Sequence, residues 1–585
     1  MADHTDSKYE QAKAERQKYV DAVVRSSSRK KIVVAGPGTG KTHLFKQVLK
    51  GKTNTLTLTF VNALVEDLSL ELYGMSDVRT LHSYARGVLS KAKNKDVEIF
   101  PKLSQVIRED VAILKGEDID FDHIFHNRED SHPAIDFYKA RKKYYDNYYG
   151  YSDIVFALVK YFEKDKTKVP AYEQVVVDEF QDFNKLEVSL IELLAEQSPM
   201  LLAGDDDQAL YDFKSASAEY IRQRHSASNE EYESFGLPYC SRCTRVIVEA
   251  ANDIIKAAIT NGCLHERINK EYIYFDDVDK DKESDQNPHI VYTQQYAKQI
   301  PWFIEQQIGK IAEEVKKKFS VLIISPTKVM SRGVVKALEG KGFSNIAYTE
   351  KKDGKDPTLL DGLKLLIQDE KSNLGWRISL KFLLTKKAFK ELIVESGNAD
   401  AKPLRDIVDK DAKRELTAIL KALRAVRKEE EVDEAVLAGV LAKLGMEPYG
   451  MEKEYLREEF ANESQRVGNP GLRKIPIKAT TVQSSKGLAE EYVFITHFDD
   501  AYFMKNHAAA CDLDVCNFLV ALTRARKKVF LISSRQTDPK LLTWIDPDRI
   551  ERIAAITPSP RSRVQTATVP ARTPALSPLQ PTPEF

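Results

Sequence analysis

A glycine-rich loop near the start of the chain has the residue types that hold a phosphate chain. An apolar run at 31–35 leads into the loop at 36–42, and a helix-like segment follows to residue 49. Glycines let successive backbone N–H groups point at an anion where a helix begins. In this pattern the lysine reaches the outer phosphates and the next hydroxyl ligates Mg²⁺, which assigns those roles to Lys41 and Thr42. The predicted nucleotide contacts in this loop are Gly36, Gly38, Thr39, Gly40, Lys41 and Thr42.

Two acidic clusters follow later apolar runs and predict the rest of a nucleotide-hydrolysing site. Asp178 and Glu179 come directly after the strand-like run at 174–177. In a phosphate-loop protein the first carboxylate holds Mg²⁺ and the second orients or deprotonates the attacking water. An acidic turn after the run at 200–204 ends in Gln208, which we expect to sense the terminal phosphate. The predicted Mg²⁺ ligands are Thr42 and Asp178, and the predicted catalytic residues of this half are Lys41, Glu179 and Gln208.

Alternating strands and helices are needed to bring these loops together. Strand-like runs at 31–35, 55–60, 174–177 and 200–204 are separated by helix-like segments. This alternation predicts a parallel sheet, because ligands bind where parallel strands end at their carboxyl edge. A helix predicted at 8–25 carries Gln17, which could read the edge of an adenine base or be an ordinary exposed glutamine.

A long helical segment at about 87–170 separates the two acidic strands from the first part of the sheet. Within it, residues 138–151 interleave basic side chains with tyrosines. That composition suits a nucleic-acid surface, through phosphate contacts and base stacking. It also suits an amphipathic helix with a solvated charged face, and we favour this second interpretation.

Composition sets the broad class of protein. The chain has 585 residues, 42% of them hydrophobic, and equal numbers of basic and acidic residues, 88 each. A polyanion would therefore have to bind a local basic groove rather than a global positive field. Its five cysteines are too few and too scattered for a disulfide framework. The sequence has no signal-peptide core and no apolar run near the roughly 18 residues of a membrane span, so we expect a cytoplasmic protein without a membrane partner.

With its later motifs, the chain resembles the UvrD/Rep family of superfamily 1 DNA helicases. Eight stretches resemble the family's motifs in the expected order, and they span most of the chain. They lie at 36–42, 59–62, 80–83, 178–182, 204–213, 237–242, 480–488 and 520–525.

The resemblance implies both a second half of the ATP site and a DNA-binding groove. It assigns phosphate-contacting, catalytic roles to Arg242 and Arg524, places Gly487 at the nucleotide, and makes ATP and Mg²⁺ the cofactors. The DNA contacts that it implies are Phe60, Asn62, Thr80, His82, Tyr211, Phe213, Lys214 and Gln483. Ser241 departs from the family, which has an adenine-stacking tyrosine there, although Tyr239 lies two residues earlier.

The implied fold is α/β, with two RecA-like phosphate-loop NTPase domains that have parallel sheets flanked by helices and a mainly helical insertion in each. The predicted first domain comprises 1–86 and 171–225 around an insertion at 87–170. The predicted second domain comprises 226–375 and 472–550 around an insertion at 376–471. Residues 551–585 are rich in Pro, Ser, Thr and Arg and are predicted to be a disordered tail.

The implied function is an ATP-dependent helicase that moves 3′ to 5′ on single-stranded DNA and unwinds duplexes with a 3′ overhang. The second insertion is short for the family, which favours an alternative. In that alternative the chain is an ATP-switched nucleic-acid sensor that recruits or licenses a partner, such as a nuclease, and unwinds little. A protein partner could bind the tail or the insertions.

Overall fold

The structure, a computed structural model, covers most of the chain. The residues it describes are 2–59, 62–210, 215–226, 229–315, 318–343, 346–348, 356–398, 401–427, 475–506 and 509–554, together with 435, 438, 439 and 442. They form two parallel sheets flanked by helices, with helical insertions, which confirms the predicted α/β class.

The first sheet and its insertion occupy the N-terminal part of the chain. The first elements are α1 (Ala2–Arg25), β1 (Lys30–Ala35), α2 (Lys41–Leu49), β2 (Thr55–Thr59), α3 (Asn62–Glu71), β3 (Asp77–Thr80) and α4 (Leu81–Lys93). The insertion contains α5 (Leu103–Lys115), α6 (Phe121–His126), α7 (Ala134–Tyr144) and α8 (Tyr151–Lys164). The sheet resumes with β4 (Gln174–Val177), α9 (Lys185–Gln197), β5 (Met200–Gly204), α10 (Glu219–His225) and β6 (Glu233–Leu237).

Six described strands form this sheet in the order β3-β2-β4-β5-β1-β6, all parallel. Strands β2, β4 and β5 are buried along their whole length, as expected for a parallel sheet covered on both faces. The loops after β1, β4 and β5 therefore meet at one edge. Because β6 pairs with β1, the first sheet extends beyond the predicted boundary at residue 225.

The second domain begins with a small two-stranded sheet and continues into a large one. Its first elements are β7 (Tyr239–Cys240), α11 (Arg245–Thr260), β8 (Ile273–Tyr274), α12 (Val278–Gln286), β9 (Ile290–Gln294), α13 (Ile300–Val315), β10 (Val321–Ser325), α14 (Lys328–Glu339) and β11 (Ile346–Tyr348). The insertion contains α15 (Leu359–Gln368), α16 (Asn373–Leu383), α17 (Lys386–Glu395), α18 (Leu404–Ile407) and α19 (Lys410–Arg427). The last elements are β12 (Ile477–Thr481), β13 (Glu490–Thr496), α20 (Asp500–Phe503), α21 (Asp512–Leu522), β14 (Ala525–Ser533) and β15 (Ile550–Ile553).

Seven described strands form the second sheet in the order β11-β12-β10-β13-β14-β9-β15, again all parallel. The edge strand β15 overlaps the start of the predicted tail at residue 551, so that boundary is wrong by a few residues. Pairing with β9 satisfies the backbone of these residues, which composition alone would leave disordered. The rest of the predicted tail, from residue 555, lies outside the described residues.

The two helical insertions share one hydrophobic core. Leu103 and Ile107 of α5 belong to the same buried cluster as Leu363 of α15 and Leu416 of α19. The second insertion therefore begins near Leu359 rather than at residue 376. Most of its remainder up to residue 471 lies outside the described part of the chain.

The tyrosine-rich segment contributes largely to this core. Tyr138, Tyr145, Tyr148 and Tyr149 are buried, and Arg141 lies beneath the surface beside Asp110. Their rings are therefore packed inside the protein and are not a stacking surface for bases. None of the described helices is long and apolar enough to cross a membrane.

Candidate nucleotide and nucleic-acid site

The phosphate loop lies at the carboxyl edge of the first sheet, between β1 and α2. Gly38 and Gly40 have φ angles of +73° and +98°, a backbone region that strongly favours glycine. Gly40 precedes the first residue of α2, and the Thr39 hydroxyl donates to the Gly36 carbonyl at 2.9 Å. The loop is thus wound as an anion cradle at a helix N-terminus.

The acidic pair after β4 faces this loop. Lys41 Nζ donates to Glu179 Oε1 at 3.2 Å, and Gln181 Nε2 donates to Glu179 Oε2 at 2.7 Å. Asp178 lies beside them, buried, with Oδ1 accepting the Glu179 N–H at 2.9 Å. Glu179 has a φ of +55°, which is costly for a residue with a side chain and is characteristic of functional sites.

The charges in this pocket shift the pKa values of Asp178 and Glu179 in opposite directions. Burial opposes ionisation of Glu179, but the Lys41 and Lys486 ammonium groups outweigh it and hold its pKa below the usual range. Burial and the neighbouring Glu179 charge raise the pKa of Asp178. Glu179 is therefore ionised at neutral pH, the state that an acceptor of a water proton requires.

Arg524 of the second domain reaches the acidic turn of the first. Its Nη2 donates to Gln208 Oε1 at 3.2 Å, while Gln208 Nε2 donates to Asp205 Oδ2 at 2.7 Å. Burial and the nearby Arg242 lower the pKa of Arg524 to about 10, so the group stays charged at neutral pH. Arg524 and Gln208 were both predicted to belong to the nucleotide site. They are 316 residues apart in the sequence and are in direct contact in the structure.

Arg242 approaches the phosphate loop from the second domain. The Ser241 N–H donates to the Gly38 carbonyl at 3.0 Å, and a Cβ on Gly38 would collide with that of Arg242. Arg242 Nη1 is buried with no hydrogen-bond partner among the described residues. A buried guanidinium N–H without an acceptor, next to an anion cradle, fits a phosphate oxygen.

Lys486 is a site residue to which the sequence assigned no role. It is 4% exposed, and its Nζ donates to Asp182 Oδ2 at 2.5 Å and to the Gln208 carbonyl at 2.7 Å. The same ammonium lies 3.7 Å from Glu179 Oε2. Lys486 follows β12 of the second sheet. This one buried cation therefore joins the second sheet to both acidic loops of the first sheet.

The segment between α11 and β8 supports the loop from the other side. The Tyr272 hydroxyl donates to the Pro37 carbonyl at 2.9 Å. Lys270 Nζ lies 2.6 Å from Asp205 Oδ1 and 2.9 Å from Asp207 Oδ2, and it also contacts Asp206. These three buried carboxylates have the spacing of a metal site, but the Lys270 ammonium lies among them, and Arg267 and Arg222 also pair with Asp207 and Asp206.

The remaining predicted nucleotide contacts are Gln17, Thr42 and Gly487. Gln17 is exposed on α1, and its amide donates to Asp21 Oδ1 at 2.7 Å. Thr42 is half-buried in the first turn of α2. Gly487 has a φ of +88° beside Lys486.

The predicted DNA contacts are only partly within the described residues. Thr80 is buried, and its hydroxyl accepts the Ser83 N–H at the start of α4, so it serves as a helix cap. The His82 ring lies 4.6 Å from that of Tyr151, and Gln483 is exposed after β12. Phe60, Tyr211, Phe213, Lys214 and the side chain of Asn62 lie outside the described part of the chain.

Residues missed by sequence reasoning are those whose role depends on contacts across the fold. Lys270 and Tyr272 lie in no motif, and only the structure brings them to the loop. Lys486 had a usable signal, because it stands between two serines and Gly487 inside a motif-like stretch.

Known proteins resemble this chain over both short and long stretches. Residues 113–228, from within α5 to just beyond α10, match the model of the UvrD/REP helicase N-terminal domain. A probable DNA helicase II homolog of Mycoplasma pneumoniae is 23% identical over 614 aligned positions, which span 87% of this chain and 83% of that protein.

Other relatives match over smaller shares of their length. DNA helicase II of Haemophilus influenzae is 30% identical over 110 residues, 18% of this chain and 15% of that protein. ATP-dependent DNA helicase PcrA of Staphylococcus epidermidis is 26% identical over 285 residues, 40% of this chain and 39% of its own length. With the two parallel sheets and the acidic and basic loops that meet between them, these matches make the chain similar to UvrD/REP helicases.

Proposed function

We propose that the chain is an ATP-dependent DNA helicase that moves 3′ to 5′ on single-stranded DNA. The observation that carries this proposal is the contact of Arg524 with Gln208 at 3.2 Å, since the two residues come from different sheets. A nucleotide bound between the sheets would be held by both domains. Its hydrolysis would then change how the domains fit together, which is the movement that translocation needs.

ATP fits the groups that surround the phosphate loop. The loop N–H groups and Lys41 would hold the phosphates from the first domain, and Arg242 and Arg524 would contact them from the second. The buried Arg242 Nη1, which lacks a partner in the described part of the chain, would gain a phosphate acceptor. Cations aimed at the terminal phosphate stabilise the charge that develops during phosphoryl transfer.

Mg²⁺ fits the oxygen donors near the loop. Thr42 and Asp178 would hold the ion through a hydroxyl and a carboxylate, the ligands that Mg²⁺ prefers. When bound, the ion would neutralise charge on the phosphate oxygens. Glu179, fixed by Lys41 and Gln181, would accept the proton of the attacking water. Gln208 would contact the terminal phosphate and is itself bonded to Arg524.

DNA as the substrate rests on the family and on the names of the relatives, which are DNA helicases. The direction of movement and the preference for a 3′ overhang rest on the family alone. The residues proposed to follow the strand remain Thr80, His82, Gln483 and those outside the described part, Phe60, Asn62, Tyr211, Phe213 and Lys214.

A second candidate function is an ATP-switched nucleic-acid sensor that licenses a protein partner and unwinds little. The common core of the two insertions favours it, because a second insertion packed onto the first has less freedom to act separately on a duplex. The insertions would then offer the surface for the partner.

ATP hydrolysis with and without single-stranded DNA tests the proposed function. We expect strong stimulation by DNA, and loss of hydrolysis in Lys41→Ala, because that ammonium would contact the outer phosphates. Lys46→Ala, on the outer face of α2 beside Glu71, is the matched control and should hydrolyse ATP normally. Normal turnover in Lys41→Ala, or no stimulation by any nucleic acid, would contradict the proposal.

A further inference from the structure

Arg16 of α1 lies against the phosphate loop, although no motif includes it. Its Nη2 is 2.7 Å from the position that a Cβ on Gly40 would take. Its guanidinium carbon lies 4.9 Å from the centre of the Phe275 ring, which follows β8 of the second domain. The guanidinium is thus held between the two domains, where the loop turns into α2.

Arg16 has no acidic partner within the described residues. Arg141 and Arg377, by contrast, both bond to Asp110. Partial burial lowers the pKa of Arg16, and its charge adds to burial in lowering the pKa of His43 in the first turn of α2. A half-buried guanidinium that no carboxylate holds in the described part of the chain can contact a bound ligand.

The neighbouring groups that could face a nucleobase are already occupied. The Tyr239 ring packs edge-on against Tyr19 at 5.9 Å and Phe275 at 6.4 Å. Ser241 has no ring, and its hydroxyl bonds to the Gly38 carbonyl at 3.4 Å. Gln17, the next residue on α1, is bonded to Asp21. Arg16 combines a planar surface with a position beside Gly40, where the loop turns into α2.

We infer that Arg16 stacks its planar guanidinium on the base of the bound nucleotide, with Phe275 supporting the guanidinium from behind. This inference rests on the proposed function and names the residue that holds the nucleoside end of ATP. A guanidinium can lie flat on an aromatic surface, whereas a lysine ammonium is a point charge without a planar face. Arg16 is therefore proposed to recognise the base rather than the phosphates.

Calorimetric binding of ADP to the full chain tests this inference without depending on turnover. Arg16→Ala should bind ADP roughly tenfold more weakly than wild type, in line with the value of a partly desolvated cation–π contact. Arg16→Lys keeps the charge but loses the plane, so it should lose nearly as much affinity. Arg25→Ala, at the end of the same helix and paired with Asp21, is the matched control and should bind ADP like wild type.

The outcomes separate the two proposals. Wild type that binds no ADP would contradict the proposed nucleotide site itself. Wild type that binds ADP, with Arg16→Ala binding equally well, would overturn only the role of Arg16. Full affinity in Arg16→Lys with a loss in Arg16→Ala would also overturn it, because a charge contact would then be sufficient. Thermal unfolding of each variant identifies any that fail to fold. If Arg16→Ala does not fold, the ADP affinity of Arg16→Lys tests the inference.

Discussion

At the scale of single residues, the contacts of Glu179 explain how its carboxylate can accept a proton although several charged side chains surround it. Its left-handed backbone turns the side chain toward Lys41, and Gln181 holds the second oxygen. Gln181 also accepts the Asp205 N–H at 3.0 Å, so it ties the two acidic loops together. The carboxylate is therefore oriented before any nucleotide arrives.

Glu179→Gln should bind ATP but hydrolyse it about 10²- to 10⁴-fold more slowly, because the amide cannot take the proton of the attacking water. Turnover in the presence of DNA, measured beside nucleotide binding, gives both quantities. Glu196→Gln, an exposed change beside Lys166 at the end of α9, is the control. A Glu179→Gln protein that turns over near the wild-type rate would remove this residue from catalysis.

Asp182 makes stability depend on pH in a definite direction. Its Oδ2 accepts a hydrogen bond from the Lys486 ammonium, while its Oδ1 is buried without a partner among the described residues. Burial, opposed by Lys486, raises the pKa of Asp182 to about 6. The folded state then holds this proton more tightly than the unfolded state, so the contribution to stability is present at low pH and is lost as pH rises through 6.

Asp182→Asn should remove this dependence, since asparagine does not titrate. From pH 4.5 to 7 the stability of the variant relative to wild type should increase, by about 2 kcal/mol. Thermal unfolding of both proteins across that range measures the difference. A difference that stays constant, or that moves in favour of wild type, would refute the raised pKa.

At the scale of elements, a buried ion cluster joins the two insertions. The Asp110 carboxylate of α5 accepts hydrogen bonds from Arg377 Nη2 of α16 at 2.9 Å and from Arg141 Nη2 of α7 at 2.6 Å. Asp110 and Arg377 are fully buried, and Arg377 also lies 2.8 Å from Glu109. The ions fix the register of the interface that the shared apolar core holds together.

Arg377→Met should destabilise the protein by about 3 kcal/mol, because it leaves buried charge poorly compensated. The drop should appear in the thermal unfolding midpoint. Arg414→Met on α19, where the arginine is exposed beside Asp411, is the control and should change little. An unchanged midpoint in Arg377→Met would show that the insertions do not depend on this cluster.

The elements also show what the sequence could and could not predict. Loops that follow apolar strands were recognisable, because a glycine-rich turn or adjacent carboxylates at a strand end have few structural reasons to occur. The phosphate loop and the acidic loops were therefore predicted correctly as neighbours at one sheet edge. Lys486 meets Asp182 across 304 residues, and no local pattern reports such a pairing.

Boundaries were harder to predict for a different reason. Strand β6 joins the first sheet through backbone pairing with β1, and its alternating residues do not show which sheet it belongs to. Helix α15 belongs to the insertion because Leu363 packs into the shared core. Both facts depend on tertiary contacts, which override the local pattern.

At the scale of the whole molecule, the two domains meet at the nucleotide site through charged contacts. Arg524, Lys486 and Lys270 come from the second domain and bond to the acidic loops of the first. Charged contacts of this kind respond to the addition and loss of phosphate charge. The molecule is therefore built so that the state of the nucleotide could control the fit between its domains.

Strand separation and ATP turnover, followed in the same samples, test the central claim most directly. The substrates are single-stranded DNA, duplexes with a 3′ or a 5′ overhang, and RNA. A motor that moves 3′ to 5′ predicts DNA-stimulated hydrolysis with unwinding from the 3′ overhang only. Stimulation without unwinding would favour the sensor, and hydrolysis indifferent to every nucleic acid would contradict the account.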